Sequence, residues 1–242
     1  MKVYLKFNKT DTTGYVCLLF WLDIFKEYEI VLVCDLFDIK ISSPPLLLKT
    51  ILENTGKDIK ILNTDYTLSL PYDDLILDKR YRRAAAANLT CFADNRNSNY
   101  FWLIDADDTI FLARDYSLIK EKLRLAETEF IKNRYDSLAL DFYRMQNDTW
   151  SFGICLVQQQ LDFSNLRLQL SDADFNVKDT RCLDICFDKL RRKSILNLKS
   201  FIINNTSFIH YVHKTKNLPY TLYHWENNKL NGVDVPGDFL KL

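Results

Sequence analysis

Glycine is scarce in this sequence, five in 242 residues, and no Gly-rich loop with a basic residue follows the first strand-like run. That absence weighs against nucleotidyl transfer built on a phosphate-cradling loop. Neither sign of charge is in excess, since 32 Lys+Arg balance 32 Asp+Glu. A general nucleic-acid binder needs a basic surplus for its phosphate contacts, so no nucleic-acid partner is expected. No apolar run is long enough to span a bilayer: Tyr15 to Phe25 is short and is interrupted by Asp23. The opening residues lack a signal-peptide pattern, and a cytoplasmic protein is expected. Cys17, Cys34, Cys91, Cys155, Cys182 and Cys186 form no CxxC pair, which is poor zinc spacing and reads as buried free thiols in a reducing compartment. Asn-x-Ser/Thr triplets such as Asn88-Leu89-Thr90 carry no glycosylation meaning without secretion. No internal repeat or low-complexity linker divides the chain.

What is present is core-forming material. Hydrophobic residues make up 48% and aromatics 14%, and 242 residues suffice for one large α/β domain or two small ones; with no linker in the chain, one is expected. Strand patterns are read at Val3–Phe7, Glu29–Cys34, Asp58–Leu62 and Tyr100–Asp105. Helix patterns lie between them: Gly14–Tyr28, a helix opened by Pro44-Pro45 and closed by Gly56, and Asp73–Asp94. This alternation predicts a mostly parallel, Rossmann-like sheet flanked by helices, with ligands beyond the carboxyl ends of its strands. Further on, Asp115–Asn133 reads as an amphipathic helix. Ser137–Arg144 and Trp150–Gln158 read as an antiparallel excursion, Leu183–Leu198 as a helix and Phe201–Val212 as a last strand. The tail from Lys214, with Pro219, Gly232, Pro236 and Gly237, reads as loop-rich.

The chemistry concentrates where Tyr100-Phe101-Trp102-Leu103-Ile104 runs into Asp105-Ala106-Asp107-Asp108. Alternation along a strand puts Asp105 and Asp107 on one side and Asp108 on the other. Like charges this close repel unless a cation lies between them. A hard divalent ion, Mn²⁺ or Mg²⁺, prefers carboxylate oxygens and completes its shell with phosphates and water. The plain alternative is a strand-end turn or helix cap.

Arg82 to Asp108 (RRAAAANLTCFADNRNSNYFWLIDADD) resembles the segment of family 2 glycosyltransferases in which an Ala/Arg/Asn-bearing helix leads to an Asp-x-Asp-Asp strand. Ile209-His210-Tyr211-Val212-His213-Lys214-Thr215-Lys216 is similar to the His-Tyr…Lys segment of family 8. Trp150-Ser151-Phe152-Gly153 is similar to an acceptor-side strand found in several such families. The chain therefore resembles a nucleotide-sugar-dependent glycosyltransferase of the GT-A fold. It departs by Ala87 where family 2 often has Arg, by His213 where family 8 has Gly, and by Asn217-Leu218-Pro219-Tyr220 where Lys-Pro-Trp would continue.

The resemblance implies a single domain with a nucleotide-binding half at 1–108, an acceptor-side half at 109–213 with a small antiparallel portion, and a loop-rich cap at 214–242. It implies a hexosyltransferase-type enzyme taking a UDP-sugar donor to a glycan or lipid-linked acceptor, the latter at the inner face of a membrane. Asp105 and Asp107 would hold the metal with His210, and Asp105 would also touch the ribose. Asp35 would contact the nucleoside, while Arg83 (or its neighbour Arg82) and Lys216 would reach the diphosphate. Asp184 would be the base for the acceptor hydroxyl in an inverting enzyme, with Asp188 one helical turn beyond. The plain reading of those two acids is a helix surface paired with Arg181 or Arg191.

Two other functions fit parts of the same sequence. Ile104-Asp105-Ala106-Asp107-Asp108-Thr109-Ile110 also resembles the first motif of haloacid-dehalogenase-like phosphatases, with Asp105 as nucleophile. Against it, that motif opens its domain, whereas here several strand and helix patterns precede it. A non-catalytic nucleotide-sugar-binding protein is the remaining alternative.

Overall fold

The computed structural model of the chain describes residues 1–7, 12–34, 53, 56, 58–68, 79–95, 99–106, 109–111, 115–141, 153–159, 161, 169–175, 183–203, 206, 208–211, 220–226 and 229–235. Its first half alternates strand and helix: β1 (Lys2–Phe7), α1 (Thr12–Ile24), β2 (Glu29–Cys34), β3 (Lys60–Asn63), α2 (Lys79–Asp94) and β4 (Tyr100–Asp105). The second half adds β5 (Thr109–Phe111), α3 (Tyr116–Asn133), β6 (Ser137–Asp141), β7 (Ile154–Gln158), α4 (Leu183–Arg192) and β8 (Leu198–Ile202). It ends with β9 (Phe208–Tyr211), β10 (Tyr220–Glu226) and β11 (Lys229–Val235). The helix expected after Pro44-Pro45 lies outside the described residues except at its end. There Glu53 is helical and Gly56 takes a left-handed φ of 65°, the conformation in which glycine closes a helix.

Seven strands form one sheet in the order β3-β2-β1-β4-β7-β6-β8. All run parallel except β7, which is antiparallel to both β4 and β6. The central strands are buried on both faces, which explains why they read as unbroken apolar runs. One face packs against α1 and α3 through Trp21, Phe25, Ile119, Leu123 and Phe130. The other packs against α2 and α4 through Ala87, Cys91, Cys186 and Phe187. The result is a three-layer α/β architecture.

The apolar positions of α3, Ile119, Leu123, Ala126 and Phe130, recur on one stripe. Helix α2 runs against the strands. Its carboxyl-terminal Asp94 meets Lys2 and Tyr4 at the start of β1, and Asn88, nearer its amino end, meets Lys6 at the end of β1.

Three expectations are corrected. The helix expected to run to Leu198 stops at Arg192. Ser194 turns left-handed at φ 57°, Ile195 donates to the Leu190 carbonyl and Ser194 to that of Arg191, the double bond of a Schellman stop. The single strand expected over Phe201–Val212 is two strands in different sheets: β8 pairs β6, whereas β9 pairs β5 and β10. The tail is not loop throughout, because β10 and β11 form an antiparallel pair. With β9 and β5 they make a second, four-stranded sheet in the order β11-β10-β9-β5. Among the described residues no helix is long and apolar enough to cross a membrane.

Candidate functional site

Strand order reverses between β1 and β4: β2 and β3 continue on one side, β7, β6 and β8 on the other. In open parallel sheets the crevice beyond the carboxyl ends at such a reversal receives ligands. Asp105 closes β4 there, and Lys6 is its register partner on β1. Lys6 Nζ lies 2.8 Å from Asp105 Oδ1 and donates to Asn88 Oδ1 at 2.8 Å. The backbone fixes the same corner. Ala106 N–H donates to the Lys6 carbonyl at 2.8 Å and Asp105 N–H to that of Gly153 at 2.6 Å.

The lysine side chain is 6% exposed and the aspartate 40%. Burial alone would push the Lys6 ammonium below its ordinary value. The charge of Asp105 and the hydrogen bond to it reverse the sign, so Lys6 is held above it and stays a cation. The neighbouring Cys91 thiol is pushed up to about 12 by burial, against the pull of Lys6. Burial likewise raises Cys155. These thiols are protonated packing groups, and the described cysteines, Cys17, Cys34, Cys91, Cys155 and Cys186, are all buried and in no disulfide.

Asp184 sits in the first turn of α4, half-buried. Its charge and that of Asp105 both act on Cys155, so the two acids share the α2/α4 face of the sheet. Asp188 is different. Its Oδ1 accepts from Arg191 Nε and Nη2 at 3.0 and 2.8 Å, and its Oδ2 from Arg192 Nε at 2.8 Å. The pairing with Arg191 is the one expected of a structural acid, although Asp188 is buried rather than on the helix surface.

The strand β5 that follows the acidic segment is pinned to α1 by Trp21 Nε1, which donates to the Thr109 carbonyl at 3.0 Å. Across from it, His210 of β9 is the register partner of Thr109. The fold thus carries His210 from a distant part of the sequence to the strand that directly follows the acidic segment. Arg83 stands exposed on α2. It lies five residues before Asn88, or about 7.5 Å further toward the carboxyl end of the sheet at helical rise.

Asp35, Asp107, Asp108, His213 and Lys216 lie outside the described residues. Strand geometry stops at Asp105, with Ala106 in a turn. The shared side expected for Asp105 and Asp107 therefore falls outside them too. Among the described residues no three His, Cys, Asp or Glu gather as a metal cluster. The donor chemistry at Asp105 nevertheless suits a hard cation. One oxygen is held by Lys6, and the other accepts no hydrogen bond among the described residues on a side chain open to solvent.

Lys6 and Asn88 did not stand out in the sequence as site residues. The available signal was a lysine inside the apolar run Val3-Tyr4-Leu5-Lys6-Phe7, where a charge survives only with a partner. No protein-family model matches this chain, and no curated protein matches it either.

Proposed function

We propose that this protein is a GT-A-type glycosyltransferase that moves a sugar from a nucleotide-sugar donor, a UDP-sugar by expectation, to a glycan or lipid-linked acceptor. The observation that carries the reading is the pairing of Thr109 with His210 beside the strand end at Asp105. It joins the strand that follows one segment resembling a donor-binding motif to the strand bearing His210 of the other. A single antiparallel strand in that sheet and the small second sheet agree with the same fold type.

In this reading Asp105, Asp107 and His210 hold Mn²⁺ or Mg²⁺. When bound, the ion supplies Lewis-acid stabilisation of charge on the departing diphosphate. Arg83 and Lys216 contact phosphate oxygens, and Asp35 contacts the nucleoside. Asp184 orients and deprotonates the acceptor hydroxyl from the α2/α4 face. A lipid-linked acceptor would bring the enzyme to the inner surface of a membrane. The phosphatase reading finds less support, because β4 comes fourth along the chain within the sheet that it shares with β1, β2 and β3.

The test is thermal stabilisation by UDP with Mn²⁺, expected in the native chain and abolished in Asp107→Ala. No shift with UDP and Mn²⁺, together with Mg²⁺-dependent hydrolysis of a generic phosphomonoester lost in Asp105→Asn, would replace this reading with the phosphatase one.

A further inference from the structure

We propose that Lys6 is a built-in counter-ion to Asp105: it occupies one carboxylate oxygen permanently, so the site holds a divalent cation weakly by itself and firmly only in company with a diphosphate. The inference rests on the reading of Asp105 as a metal ligand. It concerns a residue to which neither resemblance gives a role.

The lysine cannot step aside. Its side chain is buried and its ammonium is gripped from two elements, by Asn88 Oδ1 on α2 and by Asp105 Oδ1 on β4, each at 2.8 Å. An ammonium leaving these partners inside the core would be uncompensated, which is far costlier than an exposed pair coming apart. Burial of Cys91 and Cys155 beside it keeps the surroundings low in dielectric. The charge of Lys6 is therefore fixed 2.8 Å from Asp105 Oδ1.

Two consequences follow for a cation arriving at the remaining oxygen. It meets a carboxylate whose charge is already matched, and it has a fixed positive charge within the same ion-pair cluster. Both lower its affinity when it comes alone. A diphosphate brings negative charge of its own and offsets that repulsion, so metal and nucleotide enter cooperatively. Asn88 has the positioning part of this arrangement: it holds the ammonium from the helix side.

The experiment titrates the full chain with Mn²⁺ alone, reading the loss of the free-ion electron paramagnetic resonance signal. The native protein is compared with Lys6→Met and Lys6→Gln. Methionine keeps the apolar stem, and glutamine also keeps a donor for Asp105 and Asn88, so glutamine is the variant to read if methionine unfolds the chain by circular dichroism. The expected result is at least about tenfold tighter Mn²⁺ binding once the positive charge is gone. Mere structural damage would loosen the metal, so the sign separates the two roles. Equal or weaker binding in a folded variant overturns the proposal, as does no Mn²⁺ binding in any of the three proteins. Thermal stabilisation of the native protein by UDP with Mn²⁺ is read separately: its failure counts against the glycosyltransferase reading, while the metal titration alone decides the role of Lys6.

Discussion

Lys6 and Asp105 face each other across adjacent parallel strands, ammonium to carboxylate at 2.8 Å, one almost wholly buried and the other open to solvent. The asymmetry sets what each truncation does. Asp105→Ala takes the carboxylate away from a buried cation, which keeps its bond to Asn88. Breaking a fully buried pair costs about 3–5 kcal/mol, and solvent access at Asp105 reduces the expectation to about 1–2 kcal/mol. For a chain of this size that is a fall in Tm of about 2–8 °C. The double variant Lys6→Met/Asp105→Ala should recover most of it. Thermal unfolding checks both, and a single variant as stable as the native chain would show that Lys6 does not depend on Asp105.

Glu127 of α3 ties its helix layer to the sheet with one oxygen. Its Oε1 accepts from Trp102 Nε1 of β4 at 2.7 Å and from the Tyr28 hydroxyl at 2.8 Å. Burial, with the hydrogen bond to Glu127 next in size, raises the Tyr28 phenol above its ordinary value. Glu127→Ala leaves a buried indole N–H without its acceptor, a loss of about 2–3 kcal/mol. Glu127→Gln keeps a carbonyl acceptor and should lose about half as much or less. Urea unfolding of the two variants distinguishes them, and equal losses would assign the effect to charge rather than to the acceptor.

The parts of the fold legible in the sequence are those whose cause is local. Glu29–Cys34 and Tyr100–Asp105 match their observed bounds because the positions of a strand buried on both faces are apolar, and a charged residue marks where that burial begins or ends. The stop of α4 was hidden because Ser194, not glycine, takes the left-handed position. The break between β8 and β9 was hidden for another reason. Phe201-Ile202-Ile203 and Phe208-Ile209 are β-formers on either side of the polar Asn204-Asn205-Thr206-Ser207, and what separates the two strands is their partners: Ile203 still bonds to Asp141, whereas Phe208 opposes Phe111. Proline and glycine outweighed the aromatic alternation of Tyr220–Glu226, although that alternation builds a strand. At the site, Asp105 was legible because a charge ends an apolar run. The role of Lys6 depends on α2 arriving overhead with Asn88, a tertiary fact that spacing does not encode.

At the opposite end of the sheet, Asp94 closes α2 among cations. Lys2 reaches it at 3.4 Å, the Tyr4 hydroxyl donates at 2.9 Å, and Lys60 pairs with its other oxygen. Burial works to raise this carboxyl, but the hydrogen bonds from Lys60 and Tyr4 and the charge of Lys2 prevail and hold it below its ordinary value of 3.8. A depressed folded-state carboxyl contributes stability that is complete above the unfolded value and is lost as pH falls through the folded one. The native chain should therefore lose stability from about pH 4 downward. Asp94→Asn should be less stable at neutral pH and flatter across that window. Chemical denaturation at pH 7, 4 and 3 provides the comparison, and parallel curves for both proteins would remove Asp94 from the acid response.

Ser194 offers a stabilising change that touches no neighbour. Its backbone φ of 57° costs an L-residue about 1–2 kcal/mol, while glycine adopts it freely. Glycine also gains freedom in the unfolded chain, which takes back part of the benefit. Ser194→Gly should therefore stabilise the fold by a net of about 0.5–1 kcal/mol, or roughly 1–4 °C in Tm. Ser194→Val is the opposing control, because a β-branched side chain tolerates this conformation least. The Schellman bonds from Ser194 and Ile195 are backbone bonds and survive both substitutions, so the difference between the variants reads the conformational term alone. If the glycine variant melts lower than the native chain, the serine hydroxyl must stabilise the turn by more than the left-handed backbone costs it.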